Sequence, residues 1–250
     1  MAQTIMITGA TAGIGKATAE KFAQNGYRLI LTGRRQERLE SLAADLDAET
    51  LLLNFDVRDP QAVQAAIDGL PPEWQDIDIL FNNAGLAVGV GPLQEGVVDD
   101  WERMIDTNVK GLLYVSRAVT PLMVKRKSGH VINIASIAGK QVYPGGNVYC
   151  ATKHAVDALS QGMRIDLLPY GIKVTNLAPG LVETEFSVVR FKGDQNRADA
   201  VYTDMKPLTG PDIADVAFFV ANTPAHVTIN DILVMPTAQA SAFHIHRTNE

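Results

Sequence analysis

A single doubly wound α/β domain, a parallel sheet of about seven strands with helices on both faces, is the fold class this sequence predicts. Three observations lead there. Short runs rich in Ile, Val and Leu alternate with helix-length amphipathic stretches from end to end. The runs are almost continuously apolar, so strands built from them need shielding on each side. At 250 residues, 46% of them hydrophobic, the chain has material for one substantial core, and no repeat, low-complexity segment or Pro/Gly/Ser linker divides it.

Taken in order, the candidate strands are Ile5–Thr8, Arg28–Thr32, Leu51–Phe55, Ile79–Asn82, His130–Ile134, Lys173–Asn176 and Ile232–Met235. Helical patterns lie between them at Ile14–Asn25, Gln36–Leu46, Pro60–Asp68, Asp99–Lys125, Val148–Leu168 and Pro211–Ala221. Two segments lack periodicity. The stretch at about 183–210 follows the sixth strand, and ligands in open α/β sheets bind beyond the carboxyl ends of strands, so it is a candidate lid. The other is the tail at about 236–250.

A net charge of -6 with no long Lys or Arg run gives no electrostatic footprint for nucleic acid or an anionic membrane, which favours a small-molecule partner. The first strand-like run begins almost at Met1, and no apolar run approaches the roughly 20 residues that span a bilayer, so neither a secretory leader nor a membrane span is expected. The only cysteine, Cys150, suits a reducing cytoplasm. Cys150 and Thr152 read as helix filler. His244 and His246 in the tail have no carboxylate or cysteine cluster beside them, so no metal is expected.

The segment "TGATAGIG", Thr8 to Gly15, runs from the first strand into the first helix. Gly9, Gly13 and Gly15 would let backbone N–H groups near Thr11 and Ile14 approach a pyrophosphate at the positive helix end. Glycines in such a turn also serve the turn alone. Dinucleotide sites that take NAD carry an acid ~20 residues further on; here "TGRRQERL" brings Arg34 and Arg35 instead, at a helix start where positive charge is unfavourable. An anion held between them would relieve that conflict, which points to the 2′-phosphate of NADP. The bland alternative is a solvated helix start.

On a helix, Tyr149 and Lys153 are neighbours at i and i+4. A free phenol, with a pKa near ~10, is too weak an acid for neutral pH, and a nearby ammonium or an oxidised nicotinamide would lower it. The same spacing also arises from packing plus a solvated lysine.

Together, "TGATAGIG", "NNAG" at Asn82–Gly85, Asn108 in "TNVKG", Ser136 in "ASIAG", "YCATK" and "PGLVET" at Pro179–Thr184 resemble the short-chain dehydrogenase/reductases, in that family's order, over about residues 5–235. The resemblance implies a Rossmann fold and a hydride-transfer enzyme with a tetrad of Asn108, Ser136, Tyr149 and Lys153. Ser136 would polarise the substrate oxygen, Tyr149 would act as acid or base, Lys153 would hold the nicotinamide ribose and tune the phenol, and Asn108 would hold a water in a proton path to the lysine. It further implies adenine contacts from Asp56 and Val57, ribose contacts from Asn83, Ala84 and Gly85, and nicotinamide contacts from Pro179, Gly180, Val182 and Thr184. Asp56 also reads as a helix cap, with Asp59 the better placed competitor.

The lid sequence "TEFSVVRFKGDQNRADAVY", with "NTPAHVTIND", "WERMIDTN", "GGNVY" and the "HIHR" tail, resembles the branch of NADP-dependent 3-hydroxy acid dehydrogenases. That branch oxidises serine, L-allo-threonine and related 3-hydroxy acids such as 3-hydroxypropionate and 3-hydroxyisobutyrate, or reduces the matching semialdehyde. It also implies a homotetramer, in which an ordered tail would cover a neighbouring subunit's pocket. An acid substrate needs a cation, and Arg190, Lys192 or Lys140 could supply one; Arg190 is favoured because a planar guanidinium takes a carboxylate in two hydrogen bonds. A reductase of uncharged ketones or aldehydes, and a non-catalytic NADP-binding regulator, are the alternative readings.

Overall fold

In the computed structural model, which describes residues 2–248, the first strand β1 is Thr4–Thr8 and helix α1 is Gly13–Ala23. Then follow β2 (Arg28–Gly33), α2 (Gln36–Asp45), β3 (Thr50–Asn54), α3 (Pro60–Asp68), β4 (Ile79–Asn82), α4 (Val98–Ile105), α5 (Leu112–Arg126), β5 (His130–Ile134), α6 (Asn147–Leu167), β6 (Lys173–Pro179), α7 (Glu185–Arg190), α8 (Gln195–Ala200), α9 (Gly210–Ala221) and β7 (Asp231–Val234). Positions 1, 249 and 250, the last two belonging to the expected tail, lie outside the described residues.

All seven strands pair in parallel in the order β3-β2-β1-β4-β5-β6-β7. The order reverses direction between β1 and β4, which opens a crevice above their carboxyl ends. Strand alternation divides the apolar residues between two cores. Ile5, Ile7, Leu29, Leu31 and Phe81 pack under α1, α2 and α9 with Phe22, Leu39 and Val220, while Met6, Ile30, Leu80 and Val131 pack under α3 and α5 with Val63, Val119 and Met123. Strands buried on both faces explain the near-continuous apolar runs.

Two expectations change. The helix expected over Asp99–Lys125 is interrupted by a wide π-helical turn at Asp106–Gly111 that separates α4 from α5. The segment at about 183–210 contains two short helices, α7 and α8, and its ends are joined by Glu183 N–H to Leu208 O at 2.8 Å and Leu208 N–H to Leu181 O at 3.0 Å. Six residues are too few to leave a periodic signature in sequence.

Candidate active site

The carboxyl ends of β1, β4, β5 and β6 deliver the glycine turn, "NNAG", Ser136 and "PGLVET" to one rim, and a cavity of about 460 Å³ lies above it. Gly9 and Gly13 have φ of +65° and +51°, conformations that side chains resist. At α1 the N-cap position, Ala12, has no side chain bonding the first turn, and that turn holds no acid. Its N–H groups therefore face the cavity as donors for an anion. Gly15 lies beneath: a Cβ there would come 2.3 Å from Gly9 O, so this glycine permits the helix to close on the strand. Asn83 works from the same side, its amide donating to Thr8 O at 2.9 Å and Gly9 O at 3.1 Å. These features fit a dinucleotide pyrophosphate.

The arginines of "GRRQERL" are held by carboxylates. Arg35 donates to Thr11 Oγ1 at 3.0 Å and lies 3.7 Å from Glu185 of α7, Arg38 bonds Glu185 at 3.0 Å, and Arg34 lies 3.8 Å from Asp56. The conflict at the start of α2 is thus relieved by acids of the chain itself, with both arginines still at the cavity wall. Asp56 is not the cap of α3; Asp59 is, accepting from Gln61 N and Ala62 N. Burial pushes the Asp56 carboxyl up, and hydrogen bonds from Arg58 outweigh it and hold it below its ordinary range. Thr11, Ile14, Val57, Ala84, Gly85, Pro179, Gly180, Val182 and Thr184 also line the cavity.

Ser136, Tyr149 and Lys153 come together at its floor. Ser136 ends the run after β5 with its hydroxyl accepting from Ala138 N at 3.1 Å. Lys153 Nζ donates to Ile134 O at 2.8 Å and lies 5.9 Å from the centre of the Tyr149 ring. Burial lowers the Lys153 ammonium from 10.5 to about 8. Burial likewise raises the Tyr149 phenol, and the charge of Tyr143 adds to the rise, while the Ser136 hydroxyl and Arg190 oppose it. Within the chain alone, then, desolvation outweighs the expected lowering of the phenol.

Asn108 does not line this cavity. The π-helical turn carries it to Leu86, where Oδ1 accepts from Leu86 N and Nδ2 donates to Leu86 O, both at 2.8 Å. Its second amide hydrogen goes to Thr152 Oγ1 at 3.1 Å, and Thr152 in turn donates to Tyr149 O at 2.8 Å. Thr152 is therefore a link between Asn108 and α6 rather than helix filler. Both amide hydrogens of Asn108 are spent on the protein, so a water held here would rest on an oxygen.

Of the three candidate cations, Lys140 is spent on Asp157 at 2.6 Å and on Asp231, and Lys192 on Asp100 at 2.7 Å. Arg190 lies in the cavity, its Nη2 donating to Tyr143 Oη at 2.9 Å and its Cζ 5.9 Å from the Tyr149 ring centre. Its Nε is buried without a partner. Tyr143 was not legible as a site residue: it sits in a loop, where no spacing rule reaches it. The tail folds against its own chain: Gln239 Oε1 accepts from Leu181 N at 2.9 Å, and Arg247 bonds the carbonyls of Val201 and Thr203 in the lid.

The family model described as short chain dehydrogenase matches residues 3–195. The chain belongs to this family. Among short-chain dehydrogenases it is 48% identical over 246 residues to the "NADP-dependent 3-hydroxy acid dehydrogenase YdfG" of Salmonella typhi, covering 98% of this chain and 99% of that protein. It is 46% identical over 251 residues to "Sulfoacetaldehyde reductase 2" of Chromohalobacter salexigens, covering 99% and 100%. A solved structure, the closed form of serine dehydrogenase complexed with NADP+, superposes with a TM-score of 0.94 at 47% identity, covering 98% of this chain and all of that one. The doubly wound fold read from sequence is thereby the family's.

Proposed function

We propose that this short-chain dehydrogenase is an NADP-dependent oxidoreductase of small 3-hydroxy acids, of the serine, L-allo-threonine, 3-hydroxypropionate or 3-hydroxyisobutyrate type, or of the matching semialdehydes. The observation that carries the reading is Arg190: a cation with a buried, unpartnered Nε beside the ring of Tyr149. Near-identity in length and 48% identity to an NADP-dependent 3-hydroxy acid dehydrogenase support it.

When bound, NADP supplies the acceptor for the hydride leaving C3 of the substrate. The glycine turn and the bare first turn of α1 hold its pyrophosphate, and Arg34 and Arg35 its 2′-phosphate. The chain's own residues handle orientation and the proton. Ser136 Oγ hydrogen-bonds the substrate oxygen and Arg190 takes the carboxylate; in reduction the Tyr149 phenol gives its proton to the carbonyl oxygen, and in oxidation the Tyr149 phenolate takes the hydroxyl proton. Lys153, fixed on Ile134 O, supplies positive charge that favours the phenolate when protonated. Asn108 holds the backbone of Leu86 and ties it to α6 through Thr152.

A specific observation favours a second reading. A relative 46% identical over the whole chain is a sulfoacetaldehyde reductase, and a guanidinium recognises a sulfonate by the same paired donors. We further infer a cytoplasmic homotetramer. Exposed Ile165 and Leu168 at the end of α6, and exposed Phe219 on α9 on the other side of the sheet, support assembly through two faces. No helix among the described residues is long and apolar enough to cross a membrane.

The test is NADP reduction followed optically with serine, L-allo-threonine, 3-hydroxyisobutyrate and simple secondary alcohols, alongside NADPH oxidation with sulfoacetaldehyde. Turnover of the acids, with Arg190→Met raising their KM about tenfold or more and sparing neutral alcohols, is expected. Equal effects on both classes would refute the assignment of Arg190, and no turnover at all would favour the regulator.

A further inference from the structure

The lid meets the body at a buried carboxylate that the reaction does not use. Asp100, on α4, is 5% exposed, and its ion-pair partner is Lys192 Nζ at 2.7 Å, on the turn that ends α7. A carboxylate so deep is costly to leave unpaired, so the body favours whatever lid position brings Lys192 to it. The aim of Lys192 is set by its backbone. It adopts φ +56°, its N–H bonds Val189 O at 3.1 Å, and Gly193 N–H bonds Val188 O at 2.9 Å, a helix stop that fixes the direction of the Lys192 side chain.

A second tether lies beside the first. Gly89 N–H donates to Arg190 O at 3.0 Å, and Gly89 has φ +73° with room for no side chain, since a Cβ would come 2.8 Å from Asp100 Oδ2. Arg190 thus stands between two attachments: its own carbonyl on Gly89, and Lys192 two residues later on Asp100. Gly89, Asp100, Tyr149, Arg190 and Lys192 together bound a cavity of about 240 Å³. Glu95 and Arg197 line the same cavity, and of its cations Arg190 is the one that also lies against the Tyr149 ring, while Lys192 is spent on Asp100.

We propose that the Asp100–Lys192 pair is a clasp that positions Arg190 for the acid group of the substrate, which makes Asp100 and Lys192 positioning residues that set preference for anionic over neutral alcohols. The proposal rests on the reading of Arg190 given above. It is tested with 3-hydroxypropionate and its neutral methyl ester, in Lys192→Met, Lys192→Arg, Asp100→Asn and Arg190→Met, each checked for folding by thermal melting. Lys192→Met raises KM for the acid about tenfold while kcat stays within about twofold, KM for the ester does not move, and Lys192→Arg restores the wild-type value. Asp100→Asn reproduces Lys192→Met, and Lys192→Met adds nothing once Arg190 is Met. Because Lys192 is half exposed, its variants keep the test informative even if Asp100→Asn fails to fold. Unchanged KM in Lys192→Met, or equal losses for acid and ester, overturns the clasp while a selective effect of Arg190→Met leaves the reading of Arg190 standing. If Arg190→Met itself shows no selectivity, that reading falls and the clasp with it.

Discussion

Burial moves Tyr149 and Lys153 in opposite directions on the pKa scale and toward the same condition, each favouring its neutral form. For Tyr149 this keeps a proton on the phenol at rest, ready to be given to a carbonyl, whereas taking one from an alcohol requires the phenolate, which the Lys153 ammonium and an oxidised nicotinamide favour. Tyr149→Phe removes the hydroxyl and its hydrogen bond with Ser136 while keeping the ring, so activity should fall about a thousandfold or more with NADP binding retained; near-normal turnover would remove Tyr149 from the mechanism. For Lys153 the consequence is one of stability. The folded value is about 8 and the unfolded value 10.5, so between these the unfolded chain binds more protons and stability rises with pH. Below pH 8 the folded state bears the full cost of the buried ammonium. In the cofactor-free chain, wild type should therefore gain thermal stability relative to Lys153→Met as pH rises from about 8 toward 10, and parallel melting curves would contradict the shift.

Among the elements, the strand-to-helix turn at residues 8–15 shows how geometry outruns pattern. Its three glycines look alike in sequence, yet Gly9 and Gly13 are needed for their φ and Gly15 for a contact. Gly15→Ala drives a methyl group into Gly9 O, a backbone atom that can yield only by moving the turn. The expected result is about 1–3 kcal/mol of lost stability together with NADP affinity lowered about tenfold or more, by calorimetry or fluorescence titration; unchanged affinity would show that the turn is not the cofactor cradle. Strand positions were legible to within a few residues, because apolar runs and their glycine ends report directly on burial. The sequence placed two arginines at the start of α2, but not the acids that hold them, since Glu185 lies far along the chain from Arg35 and no periodicity connects them. Arg190 was legible by residue type alone, and Tyr143 and Asp100, which surround it, were not.

Across the whole molecule, the fold is a sheet whose lower edge is packed as tightly as its upper edge is open. His130 begins β5 at 3% exposure, with Nε2 2.8 Å from Thr175 Oγ1 and Nδ1 without a partner. Burial, aided by the charge of Lys173, lowers its pKa from 6.5 to about 3. Between these values the unfolded chain binds the extra proton, so stability falls as pH drops below 6.5, by about 2 kcal/mol on reaching pH 4.5. His130→Gln should lose that much less over the same interval, read as a few degrees in Tm; an identical acid profile would show that other groups govern the transition. Function is far from this point, so the same variant should keep its KM values.

The wide turn at Asp106–Gly111 has a further consequence. A helix advances about 100° per residue, so a turn containing one residue more than its neighbours offsets everything before it from everything after by that angle. α4 directs Asp100 and Met104 inward on one bearing and packs on α6, while α5 sends Val115, Val119 and Met123 to the sheet on another. Excising a single residue here would straighten the pair into one rod and leave only one of the two bearings correct. The surplus residue thus acts as a phase shifter, letting one stretch of chain serve both the core and the pocket wall.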